Sequence, residues 1–294
     1  MSVDGLIVVD KPGGMTSHDV VARIRRLART RRVGHGGTLD PMATGVLVIG
    51  VGRATRLLTY VIGAGKSYTA TIRLGQATVT DDAEGEVVAT ASAAEVTDEA
   101  VRAGLVPLTG EIDQVPSAVS AIKIDGQRAY KRVRDGETVT LAARRVTVSR
   151  LDVLAVRRDA PDLVDVDVTV DCSSGTYIRA LARDLGVALG VGGHLTALRR
   201  TAVGGFTIAE ALTLPELEER APDVVNLPVE DAARRFFPQR EADAREAKVL
   251  SHGGPLDPAG IVGPYAVFDP AGGLVAIVSE RDGRARAEIV LAPA

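Results

Sequence analysis

Hydrophobic positions in this 294-residue chain recur with two different periods, and the changes of period mark out its elements. Residues 5–10 are a short apolar run stopped by Lys11-Pro12-Gly13-Gly14, which predicts a strand and then a turn. Thr16-Ser17-His18-Asp19 supplies an N-cap with an acid three residues on. Val20, Val21, Ile24 and Leu27 follow at helical spacing, while Arg23, Arg26 and neighbouring arginines take the other face. Gly34-His35-Gly36-Gly37-Thr38-Leu39-Asp40-Pro41-Met42-Ala43-Thr44-Gly45 reads as a glycine-rich loop ahead of the apolar strand 46–49. Residues 66–74 switch to strict alternation, with Tyr68, Ala70, Ile72 and Leu74 on one face and Thr69, Thr71 and Arg73 on the other. Residues 78–85 form an acidic turn, 96–104 a helix, and 114–139 a long polar and basic excursion. An excursion of that length inside a compact domain is usually a functional loop or lid.

Further on, valines alternate with Asp165, Asp167 and Asp171 along a strand over 164–172. Ser173-Ser174-Gly175-Thr176 then caps a helix over 177–189 that buries Ile178, Leu181, Leu185 and Leu189. Composition shifts after residue 210. Residues 216–246 read as an acidic, proline-punctuated linker with short helices, and 264–269, 274–280 and 286–291 as three strands of a small β module. An α+β protein is expected, with a larger domain over 1–225 and a small C-terminal module over 226–294.

Composition narrows the class. Charged residues at 25% and hydrophobic ones at 46% describe an ordinary globular chain. No uncharged apolar run approaches the roughly 18 residues of a membrane span, and no secretory leader is visible, so a cytoplasmic protein is expected. Cys172 is the only cysteine, and its strand parity makes it a buried structural thiol. His18, His35, His194 and His252 lack metal-ligand spacing, so neither metal nor cofactor is expected. The net charge of −3 hides a segregation. Residues 1–60 carry nine Lys/Arg against four acids, 114–150 carry eight against three, and 81–113 carry nine acids against one arginine. A basic face for a polyanion and an acidic back would give that distribution, as would ordinary solvated helix faces.

Three residues are candidates for chemistry. Asp40 sits in the glycine loop, either as a reactive carboxylate or as a turn residue bonded to its own backbone. Tyr68 faces the core, where its hydroxyl needs a partner. Arg179 lies in the first turn of a helix, where a cation opposes the dipole, so an acid elsewhere should hold it. No Ser/His/Asp order, phosphate-binding loop or dinucleotide fingerprint occurs.

Several segments, in order, resemble the signature motifs of the TruB-type tRNA pseudouridine synthases: Lys11-Pro12-Gly13-Gly14-Met15-Thr16-Ser17, the 34–45 loop, Lys66-Ser67-Tyr68-Thr69-Ala70 and Asp81-Asp82-Ala83-Glu84-Gly85. Gln114-Val115-Pro116-Ser117 with Ser120-Ala121-Ile122-Lys123, Gly175-Thr176-Tyr177-Ile178-Arg179, and His194 through Arg200 continue the series. The resemblance covers about residues 5–210 and is weaker for the C-terminal module, which is similar to a PUA-like domain. It implies the pseudouridine-synthase fold, a mixed, mainly antiparallel sheet flanked by helices. It also implies isomerisation of uridine 55 in the T-loop of tRNA, by a monomer that binds the T-arm.

By the same resemblance Asp40 acts on the ribose, at C1′ or by taking the C2′ proton. Tyr68 stacks on the base and serves as the base for the C5 proton, although a phenol with an ordinary pKa of about 10 needs help in that role. Arg179 pairs with Asp40. Tyr177, Leu198, His35 and Lys11 line the substrate site. Arg23, Arg26, Lys123, Arg132, Arg144 and Arg200 contact RNA phosphates, and 114–145 is the thumb insertion. Two other readings share these residues: a guide-RNA-dependent, dyskerin-type enzyme, and a non-catalytic tRNA-binding or folding protein. The uninterrupted insertion and the absence of a long lysine-rich tail favour the stand-alone enzyme; Asp40, Tyr68 and Arg179 together favour catalysis.

Overall fold

The computed structural model describes residues 4–119, 123–124, 127–128 and 141–292. It has the α+β architecture the pattern predicts, with a mixed, mainly antiparallel central sheet, flanking helices and a small C-terminal sheet. Contacts divide the chain into two compact units. One comprises Met1–Asp40, Val46–Ile62 and Gly204–Ala294; the other comprises Pro41–Gly45 and Gly63–Val203.

In the first unit, strand Gly5–Lys11 is almost wholly buried, as an uninterrupted apolar run requires. It pairs with Leu227–Pro228 through Gly5↔Pro228 and Leu6↔Leu227. The Asn226 side chain extends that contact by accepting from the Val8 N–H (3.1 Å). Helix Ser17–Leu27 buries Val20, Val21 and Ile24, and its Thr16–Asp19 capping box is formed as expected. Part of the glycine run is not loop. Val33–Gly36 forms a strand antiparallel to Thr44–Val51, with His35 opposite Ile49, because the apolar partner strand satisfies backbone that has few side chains of its own.

The segment expected as a linker is woven into this unit. It contains helices Leu214–Arg220 and Val229–Phe236 and strand Gln239–Glu241, which pairs in parallel with Tyr265–Phe268. The C-terminal sheet therefore has four strands rather than three, completed by Leu274–Arg281 and Arg284–Val290. Helix Ala244–Ser251 packs Leu250 onto Tyr265, Val267, Val275 and Val278.

The second unit is an antiparallel sheet in the order Gly193–Val203, Lys66–Leu74, Leu163–Cys172, Arg144–Ala160 and Gly110–Gln114. The alternation read from 66–74 holds, with Tyr68, Ala70, Ile72 and Leu74 buried. Helix Ile178–Ala188 packs on this sheet through Ile178, Leu181 and Leu185. Gly186 allows the contact, since a Cβ there would lie 2.1 Å from the Gly193 nitrogen. The acidic helix is Asp98–Leu105, begun by Thr97 as N-cap rather than at 96. Residues 115–143 leave and re-enter the sheet on a single rung, Gln114↔Arg144. Within them Lys123 pairs with Arg128 in a short hairpin. Arg132 lies outside the described residues, as does the side chain of Lys123.

Candidate active site

Asp40 is held from the residue before it. Ser17, the first residue of helix 17–27, is buried, and its hydroxyl accepts from the Leu39 N–H (2.9 Å) and donates to the Leu39 carbonyl (3.1 Å). One side chain thus fixes both main-chain groups of the residue preceding the carboxylate. Lys11 is completely buried, and its ammonium donates to the carbonyls of Pro12 (2.8 Å) and Met15 (2.6 Å). Expected at the substrate, Lys11 is found shaping the Pro-Gly-Gly turn in front of Ser17. His35 stands edge-on to His18, with ring centroids 5.2 Å apart.

After Asp40 the chain enters the second unit. Thr44 and Gly45 pair in parallel with Arg199 and Arg200. Gly45 has φ +98°, and a Cβ on it would sit 2.2 Å from the Arg200 carbonyl oxygen, so no other residue fits without moving the ladder. Arg200 in turn pairs with Tyr68, and Leu198 with Ala70. Tyr68 is 6% exposed and Leu198 8%. Arg200 is only 1% exposed, so the phosphate contact expected of it is replaced by a place inside the sheet. The neighbouring Lys66 donates to the Ala64 carbonyl (2.8 Å). Burial, aided by the charge of Arg200, pushes its ammonium from 10.5 down to about 8.

Arg179 has the acid that its position in the helix called for. Its guanidinium is buried 3.5 Å from Asp82 and donates to the carbonyls of Thr80 (2.7 Å) and Val119 (3.0 Å). Asp82 is itself buried, and it also accepts from the Thr80 hydroxyl and the Glu84 N–H. One turn along, Arg183 pairs with Asp81 (3.3 Å) and donates to the Val115 carbonyl (2.7 Å). Burial raises the Asp81 carboxyl above its ordinary value, against the pull of Arg183 and Arg179. Tyr177 precedes this helix and is half-buried. A separate cleft of about 570 Å³ opens among Met42, Thr71, Leu154, Asp167, Leu198 and Arg199. Tyr68 and Arg179 are not in its wall.

The second unit contains Tyr68 and Leu198 on its sheet and Tyr177 and Arg179 at its helix start, while Asp40, His35 and Lys11 belong to the first. Among the expected phosphate contacts, Arg26 and Arg144 are exposed, whereas Arg23 is paired with Glu218. Sequence reasoning missed Ser17 as the clamp on Leu39 and Asp82 as a partner of Arg179. Both lay inside motifs already singled out, and their types alone, a hydroxyl and an acid next to a second acid, were the available signal.

Comparison with known proteins covers the whole chain. A model of the TruB family pseudouridylate synthase N-terminal domain matches residues 25–178. The tRNA pseudouridylate synthase B C-terminal domain matches 179–232, and the C-terminal domain of tRNA pseudouridine synthase II matches 237–292. The chain is 59% identical to a tRNA pseudouridine synthase B from Arthrobacter sp. (strain FB24), over 99% of this chain and 97% of that protein. It is 57% identical to one from Mycobacteroides abscessus, over 100% and 98%. Among solved structures, a chain of an H/ACA RNP bound to a substrate RNA containing 2′-deoxyuridine superimposes with TM-score 0.73 at 26% identity, over 98% of this chain and 85% of that one.

Proposed function

Since the chain belongs to the TruB family of tRNA pseudouridine synthases, we propose that it isomerises uridine 55 of the tRNA T-loop, with Asp40 acting on the ribose. The N1–C1′ bond breaks, the base turns, a C5–C1′ bond forms, the C5 proton leaves and N1 is protonated. Atoms and electrons balance within one nucleotide, so the reaction consumes no co-substrate. Asp40 serves either by attacking C1′ or by removing the C2′ proton. Tyr68 stacks on the detached base and receives the C5 proton, Arg179 keeps Asp40 ionised, and Tyr177 and Leu198 hold the uracil. His35 fills space vacated by flipped nucleotides. Flipping the target out of the loop costs a few kcal/mol, least where pairing is weak, which suits a structured RNA loop.

The observation that carries this reading is the path of the chain. Five residues after Asp40, Gly45 enters the ladder opposite Arg200, whose other partner is Tyr68. A reactive carboxylate on a loop tied into the strand of its candidate base is what the chemistry needs. The test is incubation of purified protein with an unmodified tRNA transcript and no other RNA, followed by mapping of pseudouridine. Product at position 55 is expected from the wild type. Asp40→Asn should lose it by at least about a hundredfold, the cost of removing a group that acts at the reacting atom, while still binding tRNA. Dependence on an added guide RNA would instead support the dyskerin-type reading, and normal turnover by Asp40→Asn would remove the assignment.

A further inference from the structure

Gln114 is 2% exposed, and both ends of its side-chain amide bond the same residue. Its Oε1 accepts from the Tyr177 N–H (2.8 Å) and its Nε2 donates to the Tyr177 carbonyl (3.0 Å). Tyr177 is the N-cap of helix 178–188, and no side-chain capping bond is made from its own position. Its carbonyl also receives the first helical N–H groups, from Ala180 (3.1 Å) and Leu181 (3.4 Å). Gln114 therefore fixes the two peptide groups that flank Tyr177, from which the first turn of the helix starts, as a neighbouring strand would. Arg179 lies in that turn. The grip is returned from the helix, where Arg183 donates to the Val115 carbonyl and Arg179 to that of Val119. Gln114 is also the rung, opposite Arg144, on which residues 115–143 leave and re-enter the sheet.

We propose that Gln114 is a positioning residue for pseudouridine formation, setting the orientation of Tyr177 and Arg179 through the main chain while making no contact with the reacting atoms. The proposal rests on the functional reading above. A displacement of about 1 Å at a catalytic group costs up to about a hundredfold in rate, so Gln114→Ala should cut the single-turnover rate at saturating tRNA by about tenfold or more. The Kd for tRNA should stay within about twofold, because no RNA contact is removed. Gln114→Glu supplies a discriminating control. As a carboxylate it accepts from the Tyr177 N–H but repels the Tyr177 carbonyl; as the protonated acid it regains the donor. Its rate relative to wild type should therefore climb as pH falls from 8 to 5.5.

Hydrogen exchange on a peptide spanning residues 174–182 gives a readout independent of activity, with faster exchange expected in Gln114→Ala than in wild type. The proposal is overturned by a Gln114→Ala rate within about twofold of wild type, by a loss of affinity that accounts for the loss of rate, or by unchanged exchange. If the wild type itself forms no pseudouridine, the functional reading falls, while the exchange comparison still decides whether Gln114 holds the helix start.

Discussion

Removing the Asp82 carboxylate in two ways separates what it builds from what its charge does. Its Oδ1 accepts from the Thr80 hydroxyl and the Glu84 N–H, closing the acidic turn, and its Oδ2 faces the Arg179 guanidinium at 3.5 Å. Asp82→Ala deletes both functions. Each lost hydrogen bond costs about 1 kcal/mol, and removing one member of a buried ion pair costs up to about 3–5 kcal/mol. The carbonyls of Thr80 and Val119 still receive the guanidinium, so a net loss of about 3 kcal/mol is expected. Asp82→Asn keeps an oxygen for Thr80 and Glu84 and gives up only the charge, so it should lose less than half as much. Turnover should behave differently, since the guanidinium loses the Asp82 charge that faces it in both variants: each should form pseudouridine at a tenth of the wild-type rate or less, on the order expected for a displaced charged group. Urea unfolding followed by far-UV circular dichroism, suited to a chain without tryptophan, gives the stabilities, and single-turnover product formation gives the rates. The reasoning fails if Asp82→Ala loses under about 1 kcal/mol or if Asp82→Asn turns over at the wild-type rate.

Gly45→Ala places a Cβ against the Arg200 carbonyl at a φ of +98°, so it should destabilise by more than about 2 kcal/mol and lower turnover; wild-type thermal unfolding would contradict the tight ladder. Lys66, held at about 8 against an ordinary 10.5, is a base whose charged form folding disfavours. The resulting cost is full below pH 8 and fades as pH rises to 10.5, so wild type should gain stability over that range and Lys66→Met, measured by urea unfolding, should not. Arg26, Arg31 and Arg32 are exposed, and changing all three to Gln should reduce the slope of log K for tRNA against log salt by about 2. Arg157 is already paired with Asp167, and Arg157→Gln should leave the slope within about 0.5 of wild type; equal effects from the two variants would defeat the distinction.

What could be read in advance follows from where the decisive partner lies in the chain. Strand 66–74 was legible because its partners cover one face only, so a period of two survives in the residues themselves. Strand Arg144–Ala160 was not, because most of its side chains are exposed and no face is consistently apolar. Strand 33–36 is half glycine and owes its conformation to the apolar strand it pairs with. The short elements of 214–241 depend on contacts with residues near the N-terminus, such as Val8 to Asn226, which no local window contains. The site divides in the same way. Asp40, Tyr68 and Arg179 stood out as candidates from residue type within ordered motifs, and the need of Arg179 for an acid followed from the helix dipole. The identity of that acid depended on the turn 80–84 folding against the helix start, which only the structure reveals.

The buried polar residues answer one difficulty posed by the sequence. Lys11, Asp82, Gln114 and Arg179 are all at most 4% exposed, although apolar side chains of their size would need no compensation for lost water. The segments they hold, 12–15, 80–84 and 115–119, are short of large apolar side chains, and the first is half glycine. Such segments have little to pack, and their carbonyls are held by cationic donors: buried Lys11 for Pro12 and Met15, buried Arg179 for Thr80 and Val119, and half-buried Arg183 for Val115. Stability and catalysis then come apart at Arg179. Replacing Asp82 alone takes away the carboxylate that faces the guanidinium at 3.5 Å and keeps the buried cation, whereas Arg179→Met combined with Asp82→Leu removes both charges and fills the space. The double variant should therefore be more stable than Asp82→Ala in urea by about 1 kcal/mol or more while forming no pseudouridine. A double variant less stable than the single one would mean that the carbonyl contacts of Arg179, rather than its ion pair, dominate its contribution to the fold.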